Sequence, residues 1–253
     1  MEVPVLLPKV FNHPFTYTYN SQKIKKLDQG DFVIVPFGKK KEIGVIWDEI
    51  RSTQKKIKLR EVEKKISNIK FNHKIIQFIN WFSVYNVVPK GMILKMCLGN
   101  LKNFDKIKKK IKINETKITK YILNTEQKNA LNSLISSGNK FNVSVLLGIT
   151  GSGKTIVYFE RIKKLIRENK QALILIPEIF LTTQFKKRFE QFFGYEPAIW
   201  HSKISLNKKK DIWQSVANNK VKIVLGARSS LFLPFKNLGL IIVDEEHDSS
   251  YKQ

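Results

Sequence analysis

Gly148-Ile-Thr-Gly-Ser-Gly-Lys-Thr155 follows an apolar run, Val143 to Leu147, and precedes a helical pattern. That is the strand, loop and helix order a phosphate cradle needs. Gly148, Gly151 and Gly153 let successive backbone N–H groups turn inward around phosphates without a Cβ clash, and Thr150 and Ser152 complete the loop. The helix that begins there adds the positive end of its dipole. Lys154 is placed to reach the β- and γ-phosphates as a mobile point charge, and the hydroxyl of Thr155 to ligate Mg²⁺. The spacing predicts a chain that binds a nucleoside triphosphate.

A second stretch points the same way. Leu238-Gly-Leu-Ile-Ile-Val243 reads as a buried parallel strand and runs into Asp244-Glu-Glu-His247. Carboxylates at the C-terminal end of such a strand face the ligand crevice. Asp244 is expected to hold Mg²⁺, directly or through water, and Glu245 to orient and deprotonate the water that attacks the γ-phosphate. Lys154, Asp244 and Glu245 are thus the candidate catalytic residues.

Between and after these motifs the order is regular: helix Glu126 to Ser136, strand Asn142 to Leu147, the phosphate loop and a helix to about Glu168. Strands follow at Ala172 to Ile176, Ala198 to Trp200, Lys222 to Leu225 and Leu240 to Val243, with helices at Leu181 to Phe193 and Leu206 to Ala217. Strands alternating with helices predict an α/β fold with a doubly wound parallel sheet.

The first hundred residues differ. Short alternating runs at Val3 to Leu7, Phe15 to Tyr19, Asp31 to Phe37, Glu42 to Trp47 and Ile57 to Ile66 predict a small β-rich domain, with turns at Asn20-Ser21, Gln29-Gly30 and Gly38-Lys39. Ile75, Ile76, Phe78, Ile79, Phe82 and Tyr85 recur at helical spacing, and a second short helix runs through Cys97. This helix pair is expected to close one end of the barrel or sheet. Residues 101–120 carry eight lysines against Asp105 and Glu115 and read as a basic linker, or else as a solvated helix or edge strand. The expected domains are therefore 1–100, a linker at 101–120, and 121–253.

With 253 residues and 42% hydrophobic content, the chain can bury a core. Forty-six Lys and Arg against 21 Asp and Glu leave a formal charge of +25. Such a field draws polyanions, nucleic acid first, although a general bias toward Ile, Asn and Lys accounts for it equally well. Cys97 stands alone, which excludes an internal disulfide and a cysteine-built zinc site, and reads as a small buried residue of a reducing compartment. The amino terminus lacks the positive start of a secretory signal, and no apolar run approaches the roughly 20 residues that span a bilayer. A cytoplasmic protein away from membranes is expected.

Five segments carry a family resemblance: Leu123-Asn-Thr-Glu-Gln127, the phosphate loop, Leu175-Ile-Pro-Glu-Ile-Phe-Leu-Thr-Thr-Gln184, Gly226-Ala-Arg-Ser-Ser-Leu-Phe232, and Asp244 through Gln253. Together they resemble the superfamily 2 helicases and, among them, the bacterial primosomal replication-restart helicases. The resemblance implies a RecA-like first helicase lobe at 121–253, with ATP and Mg²⁺ as cofactors and Gln127 reading the adenine edge. Pro177, Thr182, Thr183, Arg228 and Ser229 fall in segments that border the single strand, and His247 would couple the ATP and DNA sites. The alternatives left open are a helix-capping Gln127, solvent-facing Thr182 and Thr183, an ion-paired Arg228 and a packed His247.

The amino-terminal domain resembles the part of these helicases that holds the 3′ end of a nascent strand, through Pro14-Phe-Thr-Tyr17 and Val33-Ile-Val-Pro-Phe-Gly-Lys39. Thr16, Tyr17, Gly38 and Lys39 are the candidate DNA contacts there. Thr16 stands where family members often carry Asp, which weakens specific 3′-hydroxyl recognition. Phe15, Tyr17 and Tyr19 share one strand face, where base stacking and core packing are both open.

Only the basic stretch at 101–120 stands where the family's winged-helix domain falls, so that domain is expected to be reduced or absent. The family's second lobe, with the arginine that stabilises the transferring phosphoryl group, and its zinc-binding insertion would lie beyond Gln253. The resemblance further implies 3′ to 5′ unwinding of forked DNA, partners among primosome proteins and the single-stranded-DNA-binding protein, and a monomer. Residues 1–253 alone are expected to bind ATP weakly and hydrolyse it poorly.

Overall fold

The computed structural model describes residues 1–24, 26–48, 58–99, 121–136, 141–149, 151–177 and 183–251. The basic linker at 101–120 lies outside the described residues, as do Thr150 and Thr182. Two compact units emerge.

The first unit is built on a five-stranded antiparallel sheet. Its strands are β1 (Glu2–Leu6), β2 (Phe15–Thr18), β3 (Asp31–Phe37), β4 (Lys40–Ile46) and β5 (Lys64–Lys70), in the order β2-β1-β4-β3-β5. The first four fall where the sequence pattern puts them; the fifth starts later than Ile57, which is outside the described residues. A two-residue hairpin joins β3 to β4. Gly38 sits in it at φ 60°, a left-handed conformation at the first turn position that matches the right-handed twist of the flanking strands.

On one face Val3, Val5, Tyr17, Val33, Val35 and Ile46 form a closed core. Leu6, Phe32 and Val45 are also wholly buried, so both faces are covered. Helices α1 (His73–Tyr85) and α2 (Lys90–Leu98) follow the sheet. The Asn72 side chain caps α1 by accepting from Ile75 N.

Asp31 is buried but satisfied: its Oδ2 accepts from Lys65 Nζ at 2.6 Å and from Asp28 N at 2.8 Å.

Two segments from much later in the chain, Ile204–Lys220 and Phe232–Lys236, belong to this first unit. The former carries α6 (Leu206–Ala217), whose Trp213 is almost fully buried. Its indole Nε1 donates to the Cys97 carbonyl at 2.7 Å, and its ring lies edge-on to Phe32, 6.0 Å between centroids. The latter is tied by the Asn72 amide, which donates to the carbonyls of Phe235 and Lys236, both at 3.0 Å. A boundary drawn along the chain at 121–253 does not follow this division by contacts.

The second unit contains a four-stranded, fully parallel sheet: β6 (Gln171–Leu175), β7 (Ala198–Trp200), β8 (Ile223–Gly226) and β9 (Leu238–Val243), in the order β7-β8-β6-β9. Central β6 is buried along its length, as a near-continuous apolar run between two parallel neighbours should be. Its helices are α3 (Thr125–Ser136), α4 (Lys154–Arg167) and α5 (Thr183–Phe193). Phe159 and Ile162 of α4 pack with Phe189 and Phe192 of α5 over Ala172, Ile174 and Leu225. This is the α/β lobe that the alternating pattern calls for.

One expectation fails. The strand read at Asn142 to Leu147 does not form, and Val143, Val145 and Leu147 are 75%, 78% and 87% exposed. Alternating apolar residues make a strand only where a neighbour offers its edge. Among the described residues no strand pairs with this segment, and β9, bonded to β6 alone, leaves Ile241 and Val243 nearly half exposed.

Candidate nucleotide and nucleic-acid sites

The phosphate loop is shaped by its glycines. Gly151 and Gly153 have φ values of 84° and 85°, and Gly153 caps α4 in the left-handed conformation. A Cβ on Gly153 would also meet the Gln127 Nε2 at 2.5 Å, so this position excludes side chains on two counts. The N-terminal turn of α4, with its unbonded N–H groups, therefore opens directly onto the loop. Lys154 Nζ donates to the carbonyls of Gly148 at 2.6 Å and Ile149 at 3.3 Å, which holds the ammonium over the loop.

Gln127 touches this loop from α3. Its amide nitrogen donates to Ser152 O at 2.9 Å, while its Oε1 accepts from Asn124 N at 3.1 Å. Asn124 Oδ1 accepts in return from Gln127 N at 2.8 Å, a reciprocal cap that starts the helix. The side chain is both a cap and a strut for the loop.

Asp244 sits where β9 ends, its N–H continuing the parallel ladder by donating to Leu175 O at 3.0 Å. Its Oδ2 accepts from the Tyr158 hydroxyl at 2.7 Å. Helix α4, which carries Lys154 and Thr155, and Asp244 at the end of β9 are thereby joined through one side chain. Burial, and after it the Asp244 charge, push the Tyr158 phenol far above its ordinary range, so it stays a hydrogen-bond donor.

A second tyrosine, Tyr251, donates to the Asp244 carbonyl at 3.3 Å; burial and the neighbouring carboxylates raise it to about 12.

Glu245 has φ 52°, a conformation that costs a residue with a Cβ on the order of 1 kcal/mol and is found where function holds a side chain in place. It is exposed, and its carboxylate lies 3.6 Å from His247 Nε2. His247 is exposed too, which excludes the packed reading of that residue.

The residues fit a magnesium triphosphate. The loop backbone and α4 supply N–H donors, Lys154 a cation, and Thr155 with Asp244 two hard oxygen ligands of the kind Mg²⁺ takes from protein. Among the described residues no group of three or more His, Cys, Asp or Glu forms a denser metal cluster.

The other candidates are spread over the structure. Thr183 begins α5 and is exposed; Pro177 is buried. Arg228 and Ser229 are exposed on a 3₁₀ turn, Arg228–Phe232, pinned by Ser230 Oγ donating to Ala227 O at 2.6 Å.

In the first unit Gly38 and Lys39 are exposed in the hairpin, Thr16 is half-buried opposite Pro4, and the rings of Tyr17 and Tyr19 belong to the core. Tyr17 spends its hydroxyl on Pro36 O at 3.1 Å. Its phenol is raised mainly by burial and lowered in part by the Arg60 charge.

Half-buried rings do gather beside the hairpin. Phe11 and Phe15 meet edge-on at 4.9 Å, Phe15 and Phe37 at 5.6 Å, and His13 lies 5.2 Å from Phe15. Arg60 Nη1 donates to Gly38 O at 2.9 Å. Sequence reasoning missed Phe11, His13 and Arg60, which only the folded sheet brings to the hairpin. It also missed Tyr158, although its place one helical turn after Thr155 was a usable signal.

Comparison with known proteins divides the chain in two. Residues 2–99 match the family described as 3′DNA-binding domain (3′BD), and residues 120–253 match the family described as Type III restriction enzyme, res subunit. Replication restart protein PriA of Rickettsia conorii is 39% identical over 98% of this chain, and that of Helicobacter pylori strain 26695 is 36% identical over 94%. PriA of Bacillus subtilis is 48% identical over 46% of the chain. The chain spans 38% of the Rickettsia protein, 36% of the Helicobacter protein and 14% of the Bacillus protein.

Proposed function

Because this chain belongs to the PriA family of replication restart proteins, we propose that it forms the amino-terminal part of an ATP-dependent DNA helicase that acts at stalled forks. In this reading ATP hydrolysis drives 3′ to 5′ unwinding and helps assemble a primosome. The observation that carries it is the hydrogen bond from Tyr158 to Asp244, which ties α4, the helix that leaves the phosphate loop, to the acidic cluster.

The backbone N–H groups from Gly148 to Thr155 bind the phosphates, and Lys154 exchanges its loop carbonyls for phosphate oxygens. Gln127 braces the loop and reads the adenine edge. Thr155 and Asp244 hold Mg²⁺, which when bound neutralises charge on the phosphate oxygens. Glu245 orients the attacking water and takes its proton.

In the first unit the hairpin at Gly38 and Lys39, with Thr16 and the rings around Phe15, receives a 3′ DNA end. Thr182, Thr183, Arg228 and Ser229 border the single strand.

A span of 38% of the Rickettsia relative favours a narrower second reading for these 253 residues alone: a DNA-binding module modulated by ATP, without unwinding. A transition-state arginine from a second lobe is worth on the order of 10³ to 10⁵ in rate.

Lys154→Ala is the test. Losing a charge-assisted phosphate contact of about 1.5–3 kcal/mol should weaken ATP binding roughly 10- to 100-fold and abolish any DNA-stimulated hydrolysis. Unchanged hydrolysis in the variant rules out the enzymatic reading. Affinity for forks with a free 3′ end, compared with blunt duplex and RNA at one stated salt concentration, tests the nucleic-acid half.

A further inference from the structure

Tyr158 is 6% exposed, and its ring belongs to the apolar cluster that α4 and α5 form with the sheet. A buried phenol needs a hydrogen-bond partner, and any backbone carbonyl would serve. This one instead donates to Asp244 Oδ2 at 2.7 Å. It thus joins the helix that leaves the phosphate loop to the carboxylate of the acidic cluster.

The carboxylate is held from other sides as well. Oδ1 accepts from Glu245 N at 3.2 Å, and the residue's own N–H and C=O are bonded to Leu175 O and the Tyr251 hydroxyl. An ionised carboxylate has about four acceptor sites, so these bonds fix its rotamer and leave lone pairs for a cation. Carboxylates that ligate metals are commonly oriented by such outer hydrogen bonds, whose loss costs roughly 10- to 100-fold in affinity.

Resting on the nucleotide-site reading above, we infer that Tyr158 is a positioning residue for magnesium: its hydroxyl sets the orientation of the Asp244 carboxylate. It touches neither phosphate nor metal, and acts through that carboxylate. The ring supplies packing, the hydroxyl supplies the alignment, and Tyr158→Phe separates them.

The test is a Mg²⁺ titration of a fluorescent, non-hydrolysable ATP analogue bound to the 253-residue chain. Tyr158→Phe should raise the Mg²⁺ concentration at half-effect about tenfold or more. Analogue affinity in EDTA should not move, because loop N–H groups and Lys154 remain. Mn²⁺ followed by electron paramagnetic resonance should show the same loss without any turnover.

In a double-mutant cycle, Asp244→Asn alone should remove the Mg²⁺ dependence, and adding Tyr158→Phe should then change nothing further. An Mg²⁺ half-effect within twofold of wild type overturns the inference while the nucleotide-site reading stands. So does a half-effect that falls, since the hydroxyl would then compete with the cation. Equal weakening in EDTA and in Mg²⁺ also overturns it, because that marks a purely structural role. Should Tyr158→Phe fail to fold, Tyr158→Leu, which keeps an apolar side chain in the cluster and lacks the hydroxyl, takes its place with the same expected and overturning results. Wild-type protein whose analogue affinity ignores Mg²⁺ defeats both readings together.

Discussion

Val3-Pro-Val-Leu-Leu7 and Val143-Ser-Val-Leu-Leu147 differ at one position in five, yet their fates are opposite. In the first, Val3 is 7% exposed and Val5 and Leu7 are wholly buried; in the second, Val143, Val145 and Leu147 are at least 75% exposed. β1 lies between β2 and β4, under a core on one face and apolar side chains on the other. The later segment has no strand partner among the described residues. Residue pattern proposes a strand, and only an adjacent edge makes one.

This contrast sets the stability experiments. Val5→Asp puts an unpaired charge into a closed core and should cost about 4 kcal/mol or more, seen as loss of the first unit's urea transition. Trp213→Ala removes a buried indole that chain order assigns to the second half. It should cost about 3–5 kcal/mol and lower the first unit's transition, because that is where the ring and its bond to Cys97 O reside. A second-unit transition that moves instead would contradict the division described here.

The closed face of the second unit responds to alkali. Burial raises Tyr195 from 10.0 to about 12. A group whose folded pKa is raised contributes stability that is whole below pH 10 and is lost as pH climbs toward 12. Stability should therefore fall across that window by at most about 1.4 kcal/mol per pH unit from this group, and Tyr195→Phe should flatten the slope. Tyrosinate absorbance in native and urea-unfolded protein reads the same shift. Smallest is Val145→Asp, expected within about 0.5 kcal/mol of wild type because the side chain is exposed. A large loss there would mean that the segment is paired after all.

The proposed nucleotide site is legible in the sequence where its chemistry is contiguous. Gly148 to Thr155 needs its residue types at fixed spacing, so the loop could be read directly, as could the carboxylates closing the β9 run. Tyr158 escaped because its partner Asp244 lies 86 positions away, and its place one turn after Thr155 hints at a role without naming that partner. Arg60 escaped for the same reason: the hairpin it bonds is 22 residues off.

Local pattern thus marked the β-rich first unit, the α/β alternation, the glycine-rich loop and the acidic cluster, because turn chemistry, strand alternation and motif spacing act between near neighbours along the chain. Three-dimensional pairing decided the rest: which valine row is buried, that α6 completes the first unit, and that a phenol on α4 reaches Asp244. Burial and hydrogen bonding depend on what arrives from elsewhere in the chain, and no short window of residues contains that information.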